Sequence, residues 1–227
     1  MAKQELYERS PIRAFDAAAN GGLKAGEIGL ITAKKGLGKT PVLVQFGMDT
    51  LLNGKQLVHV SFDQHSNESV KSTYDNIYNE IAKKKTIANA ADVKEQISRN
   101  RTILNFNQDN FSLEKVVNTL NALKAGGIAV AGVVIDDVDF SKVKEADIQA
   151  VLSYAKATKT KIWISSPCDS DVLEDQAPKA VLSYFSGVVH LAAKGKETAV
   201  QILKMGKNTS IDSNLKVDTK TWLITAK

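Results

Sequence analysis

A segment rich in lysine and glycine, Ala-Lys-Lys-Gly-Leu-Gly-Lys-Thr, occupies residues 33–40. This order of residue types is typical of a phosphate-binding loop, because glycines at 36 and 38 let backbone N–H groups approach an anion that a side chain would block. Lys39 is predicted to reach the β- and γ-phosphates, and the Thr40 hydroxyl is predicted to bind Mg²⁺. The segment therefore predicts a nucleoside-triphosphate site, and a plain lysine-rich turn is the alternative.

The residues around this loop favour the same interpretation. An apolar run at residues 28–31 precedes the loop, and a helical pattern starts near Pro41, which suits the first turn of a helix because N–H groups there have no intrahelical partner. Ala33 stands where the usual pattern has glycine, and we expect this change to leave the phosphate contacts in place. The predicted nucleotide-binding residues are Ala33, Lys34, Lys35, Gly36, Leu37, Gly38, Lys39, Thr40 and Pro41.

Carboxylates follow two further apolar runs. Residues 132–137 read Gly-Val-Val-Ile-Asp-Asp, and Asp136 is predicted to orient Mg²⁺ through its water shell, with Thr40 as the other metal partner. Residues 58–63 read Val-His-Val-Ser-Phe-Asp, and Asp63 is predicted to face the γ-phosphate and polarise an attacking water. A helix-capping role for Asp63 is the alternative. His59 alternates with apolar residues and is predicted to pack inside the sheet.

The elements that must position these residues alternate between β-branched runs and helix-period segments, which predicts an α/β fold with a mainly parallel sheet and helices on its faces. The length fits a single domain spanning residues 1–227. The predicted strands are 28–32, 57–62, 102–106, 130–135 and 161–165, and the predicted helices are 41–52, 66–84, 91–98, 113–124 and 146–157. Segments 188–192, 199–205, 214–217 and 221–225 predict short antiparallel strands that extend the sheet edge.

Composition narrows the classes of function. The net charge is +5, with 26 lysines but only four arginines, and lysine is the poorer residue for bidentate phosphate or base recognition. The single cysteine excludes an intrachain disulfide. Residues 1–13 lack an apolar signal core, and no run approaches the roughly 18 apolar residues of a membrane span. We therefore expect a cytoplasmic protein that does not insert into membranes.

Matching residues run through nearly the whole chain and include a specific lead-in before the phosphate loop. They are Ile12, Phe15, Asp16, Gly21, Gly22, Leu23, Gly26, Glu27, the loop itself, Ser61, Phe62, Asp63, Val134, Ile135, Asp136, Leu203, Lys204 and Met205. In this order and approximate spacing they resemble the KaiC-like branch of the RecA-type P-loop ATPases. The resemblance implies a RecA-like core, ATP and Mg²⁺ as cofactors, and a homo-oligomeric ring or filament, often a hexamer, with the nucleotide at the subunit interface.

Two departures from the family pattern concern catalysis. Asp63-Gln64 stands where the family usually has Glu-Glu, so the presumed base is one methylene shorter. The family's trans-acting Lys-x-Arg falls on Lys204-Met205-Gly206, so glycine replaces the arginine, with Lys207 as a partial substitute. A missing arginine finger costs roughly 10³- to 10⁵-fold in turnover where it operates. Both departures predict slow hydrolysis, with Asp63, Lys204 and Lys207 as the catalytic candidates.

The leading hypothesis is an ATP-binding oligomeric switch or assembly component, with a protein partner that the sequence does not identify. One alternative is a competent ATPase that drives a ring or motor, and another is an inactive scaffold. A recombinase-like DNA-binding ATPase is disfavoured, because the loops after the fourth and fifth strands carry carboxylates that would repel a phosphate backbone. These carboxylates are Asp137, Asp139, Asp169, Asp171, Glu174 and Asp175.

Overall fold

A nine-stranded sheet runs through the computed structural model, which describes residues 2–62, 66–83, 89–107, 109 and 111–227. The strands are β1 (Ile28–Ala33), β2 (Gln56–Phe62), β3 (Arg101–Phe106), β4 (Val130–Ile135), β5 (Lys161–Pro167), β6 (Gly187–Lys194), β7 (Glu197–Met205), β8 (Asn208–Val217) and β9 (Ile224–Ala226). Their order is β3-β2-β4-β5-β1-β6-β7-β8-β9. Neighbours from β3 to β6 pair in parallel, and β6 to β9 pair antiparallel.

Helices cover both faces of this sheet. They are α1 (Ala2–Glu8), α2 (Pro11–Ala18), α3 (Lys39–Leu52), α4 (Asn67–Ala82), α5 (Ala90–Arg99), α6 (Leu113–Ala125), α7 (Glu145–Thr158) and α8 (Lys179–Leu182). Buried residues of α1 to α5 belong to one apolar core, and those of α6 to α8 belong to a second core. Since both faces are covered, the central parallel strands β1 and β4 are apolar and almost entirely buried along their length. Among the described helices, none has the length and hydropathy needed to cross a bilayer.

The predicted α/β fold, with a mainly parallel sheet and antiparallel C-terminal strands, is confirmed. One strand prediction was wrong in its bounds: residues 221–223 of the segment 221–225 lie outside any strand, at and just after a turn, and β9 begins at Ile224. The Asp218 carboxylate accepts hydrogen bonds from the Lys220 and Thr221 N–H groups, and this local bonding competes with strand pairing. The segment 214–217 is the end of the longer β8. The N-terminal helices α1 and α2 had not been predicted.

A charged cluster lies near the amino-terminal ends of the parallel strands, at the opposite end of the sheet from the loop of residues 33–40. Arg13 of α2 forms ion pairs with Asp16, at 3.2 Å, and with Asp49 of α3. Burial raises the pKa of the Asp16 carboxyl to about 6, opposed by the positive charges of Arg13 and Lys161. Burial also raises the pKa of Asp49, again opposed by Arg13. The cluster therefore holds its carboxyl groups less readily ionised than they are in the unfolded chain.

We expect Asp16 to make stability fall as the pH rises from about 4 to about 6. Its ordinary pKa is 3.8, so in this window the folded chain holds a proton that the unfolded chain has released, and the free energy of unfolding decreases with pH. Asp16→Asn removes this titration. The melting temperature of the variant minus that of the wild type, measured by circular dichroism, should increase as the pH rises through this range. Parallel curves, or an equal gain in the exposed control Asp212→Asn, would contradict this assignment.

Candidate functional site

The lysine- and glycine-rich loop connects the carboxyl end of β1 to the start of α3, in the middle of the sheet. Gly36 and Gly38 have φ angles of +91° and +88°, in the left-handed region that favours glycine. Gly38 is the N-cap of α3, so Lys39 and Thr40 are in its first turn, where N–H groups have no partner within the helix. The loop thus presents backbone donors and two polar side chains at the edge where ligands of open α/β sheets bind.

Lys39 is held by the residue that follows β4. Its Nζ lies 2.5 Å from Asp137 Oδ1, and the lysine side chain is 12% exposed. Asp137 has a φ of +55°, and its N–H donates to Ser165 Oγ at 2.8 Å, which fixes the turn after β4. The cation that sequence reasoning assigned to the phosphates therefore has a carboxylate as its counter-ion in this structure.

Asp136 and Thr40 lie together at the same edge. The Thr40 hydroxyl donates to Asp136 Oδ2 at 2.6 Å, and the Ser165 hydroxyl donates to Asp136 Oδ1 at 2.5 Å. Asp136 is 1% exposed, and its N–H donates to the Val60 carbonyl of β2. The position of this carboxylate thus depends on β2, β4, β5 and the helix that follows β1.

The Thr40 hydroxyl and the Asp136 carboxylate are suitable ligands for Mg²⁺ bound together with a triphosphate. A hydroxyl and a carboxylate supply oxygen ligands, which Mg²⁺ prefers, and Mg²⁺ usually keeps several waters and uses one or two carboxylates plus phosphate oxygens. Among the described residues, no group of three or more His, Cys, Asp or Glu side chains could hold a metal by itself. A Cβ on Gly36 would meet nothing within 4 Å, so the loop has open space beside its backbone.

A cavity of about 520 Å³ opens beside the loop. It is lined by Lys34, Lys35, Gly36, Gly38, Lys39, Thr40, Pro41, Asp137, Pro167 and Trp222. Seven of the nine residues predicted to bind nucleotide are therefore part of one cavity. Of the remaining two, Ala33 is buried at the end of β1 and Leu37 packs against the apolar core.

A buried polar group supports the end of β1 just before the loop. Thr32 Oγ1 donates to Gln176 Oε1 and lies 2.9 Å from His190 Nδ1 of β6. Burial lowers the pKa of His190, although Asp171 and Asp169 oppose this shift. The histidine is therefore neutral at neutral pH, so it adds no cationic charge beneath the loop.

The C-terminal lysines lie toward the opposite end of the strands, away from the loop. Lys204 is near the end of β7 and pairs with Val188, and Lys207 follows in the turn to β8. The Gly206 N–H donates to the Ser186 carbonyl, and the Ser186 N–H donates to the carbonyl of Ile28, the first residue of β1. The loop follows the other end of β1, so roughly 17 Å of strand separates Ile28 from it, and Lys204 lies level with Leu30, partway along this strand.

Other predicted residues have different outcomes. Asp63, the candidate base, lies outside the described residues, as do Gln64 and His65, so its role stays a prediction. Ser66, rather than an earlier residue, is the N-cap of α4, and its hydroxyl accepts from the Ser69 N–H at 3.1 Å. His59 is fully buried in β2, as predicted.

Sequence reasoning missed Ser165, Asp137 as the partner of Lys39, and Trp222. Ser165 had a signal, because a serine pair ends an otherwise apolar strand next to β4 in the sheet. Trp222 had none, because it reaches the loop only after β7 and β8 have run down and back up the sheet.

Comparison with protein-family models gives a match. The family model described as "ATPase: KaiC" matches residues 9–205, well over half of the chain. The matched span includes the loop of residues 33–40, Asp136 and Lys204, and it ends just before Gly206. No curated protein matches the chain.

Proposed function

Since the chain belongs to the KaiC family of ATPases, we propose that it binds ATP with Mg²⁺ and uses the bound nucleotide mainly to control assembly with copies of itself, hydrolysing it slowly. The coarse part of this function, nucleotide binding by a P-loop ATPase domain, follows from the family. The control of assembly and the slow turnover are the proposal. They are supported by the separation of the C-terminal lysines from the phosphate loop and by the positions of the arginines.

The observation that carries the proposal is the separation of the phosphate loop from Lys204 and Lys207. Lys204 lies level with Leu30 of β1 and Lys207 follows in the turn beyond it, whereas the loop follows the end of β1, so both lysines lie away from the loop of their own chain. A second copy stacked head to tail would bring these lysines toward its neighbour's loop. Heterologous contacts of this kind generate rings when the rotation closes and filaments when it does not.

The residues at the loop have distinct roles in binding. Lys39 exchanges Asp137 for the β- and γ-phosphates, while backbone N–H groups at the start of α3 surround the anion. Thr40 and Asp136 would hold Mg²⁺, and Ser165 keeps the Asp136 carboxylate in place. Mg²⁺ neutralises charge on the phosphate oxygens when it is bound.

The arginines support slow hydrolysis. Arg9 pairs with Glu5, Arg13 with Asp16 and Asp49, and Arg99 with Glu95. The guanidinium of Arg101 lies 4.5 Å from the ring centroid of Tyr74. All four arginines thus contact residues of the same chain, and none lies in the C-terminal segment that carries Lys204 and Lys207, so the cations of that segment are lysines. Lysine lacks the planar fork with which arginine stabilises a transferring phosphoryl group.

Sedimentation velocity with and without Mg²⁺-ATP, combined with phosphate release on the same samples, tests the proposal. The 24.6 kDa chain should shift to a multiple of its mass when ATP is added, and release should stay below about 1 per second per chain. Lys204→Ala combined with Lys207→Ala should weaken this shift while leaving ATP binding intact, with the exposed Lys24→Ala as the control.

Each alternative gives a different result. Fast turnover that is lost in Asp63→Asn indicates a competent ATPase rather than a switch. Assembly that ignores ATP, in a chain that does not bind it, indicates a scaffold. Salt-sensitive retention of single-stranded DNA indicates a recombinase-like protein.

A further inference from the structure

Trp222 is an exposed aromatic residue beside the phosphate loop. Its side chain is 37% exposed, whereas Trp163, the other tryptophan, is 5% exposed and packs against Phe15 and Phe46. Of the three exposed large hydrophobic residues among those described, Ile128, Val172 and Trp222, only Trp222 lines the cavity at the loop. Its indole is therefore available to a ligand that occupies this cavity.

The indole is placed directly against the loop backbone. A Cβ on Gly38 would lie 2.7 Å from Trp222 Cζ3 and 2.8 Å from Cε3, so a side chain at position 38 would collide with the ring. One edge of the indole thus packs on Gly38, the residue before Lys39. If the phosphates of a nucleotide occupied the loop, its nucleoside would lie within reach of this ring.

The backbone of Trp222 is pinned from two sides. The fully buried Gln45 of α3 donates from Nε2 to the Trp222 carbonyl at 2.8 Å, and its Oε1 accepts from the Ile224 N–H at 2.8 Å. The Trp222 N–H donates to the Asp218 carbonyl at 2.7 Å. Trp222 keeps a φ of +61°, which is unfavourable for a bulky residue unless its surroundings hold it there.

We propose that Trp222 is the platform on which the base of the bound nucleotide stacks. This inference rests on the proposed binding of ATP at the loop and assigns the part of the site that contacts the base. Stacking on an aromatic face strengthens nucleotide binding substantially and accepts every base, and the larger purines bury the most area. A tryptophan that served only to fill the core would be buried like Trp163. The site therefore binds a nucleoside triphosphate more tightly than a bare phosphate chain.

Two ligands with the same phosphates separate the base from the loop. Calorimetry with Mg²⁺-ATP and with inorganic tripolyphosphate is measured on the wild type, Trp222→Phe and Trp222→Ala. Trp222→Ala should weaken ATP binding roughly tenfold while leaving tripolyphosphate binding unchanged, and Trp222→Phe should retain most of the ATP affinity. ATP, but not tripolyphosphate, should quench the tryptophan fluorescence of the wild type, and Trp222→Phe should lack this quench.

Each other result overturns an identifiable claim. Equal losses for ATP and tripolyphosphate in Trp222→Ala mean that the ring only supports Gly38, and unchanged ATP binding means that the base lies elsewhere. Both results overturn the stacking platform while the phosphate site stands. A wild-type chain that binds neither ligand overturns the proposed nucleotide function itself. A melting curve of each variant shows whether it is folded.

Discussion

Lys39→Ala is expected to lower the affinity for ATP by roughly 30-fold or more. Truncating one partner of a partly buried charge pair costs about 2–5 kcal/mol, and each 1.4 kcal/mol is about tenfold in affinity. The variant also leaves the Asp137 carboxylate without the cation 2.5 Å away, so that an uncompensated negative charge faces the triphosphate. Both effects act in the same direction. Isothermal titration calorimetry with Mg²⁺-ATP measures the loss.

Lys35→Ala is the matched control, because it removes a lysine from the same loop. Lys35 lines the same cavity but is exposed, so we expect its loss to weaken ATP binding by less than about tenfold. Unchanged affinity in a folded Lys39→Ala would overturn the phosphate site. Equal losses in the two variants would mean that the loop attracts ATP through its overall positive charge rather than through one positioned lysine.

Local sequence patterns were enough to predict the parallel half of the fold. The runs before the loop and before Asp136 are apolar because β1 and β4 are covered on both faces, and α3 and α6 end at Asn53 and Gly126. The loop was predictable because its glycines are needed for a left-handed backbone, a requirement that acts within a few residues.

The rest of the site depends on contacts between distant parts of the chain. Asp137 meets Lys39 across 98 residues of sequence, and Gln45 meets the Trp222 carbonyl across 177. Such contacts follow from sheet order and from where β7 and β8 turn, which a pattern of apolar residues does not encode. The wrong strand bound at residues 221–223 has a different, local origin, because the Asp218 carboxylate accepts hydrogen bonds from residues two and three positions later and forms a turn.

Asp136→Asn and Asp137→Asn should change Mg²⁺-ATP binding in opposite directions, although the residues are adjacent. Loss of a group that orients a metal through its surroundings typically lowers metal affinity about 10- to 100-fold, so Asp136→Asn should weaken Mg²⁺-ATP binding by a similar factor. Asp137→Asn removes the carboxylate that competes with the phosphates for Lys39, and it should tighten binding roughly two- to fivefold, since the pair is partly exposed. Calorimetry with Mg²⁺-ATP measures both.

Removing the metal separates these two roles. In EDTA, ATP meets only the negative charge of either carboxylate, so both variants should bind ATP at least as tightly as the wild type does. If Asp136→Asn also tightens binding when Mg²⁺ is present, its carboxylate acts only by repulsion and the metal assignment is wrong. If Asp136→Asn weakens binding equally with and without Mg²⁺, the hydrogen bonds from Thr40 and Ser165 matter for holding the loop rather than for holding the metal. Opposite signs that appear only with Mg²⁺ are the result that a metal site at Thr40 and Asp136 requires.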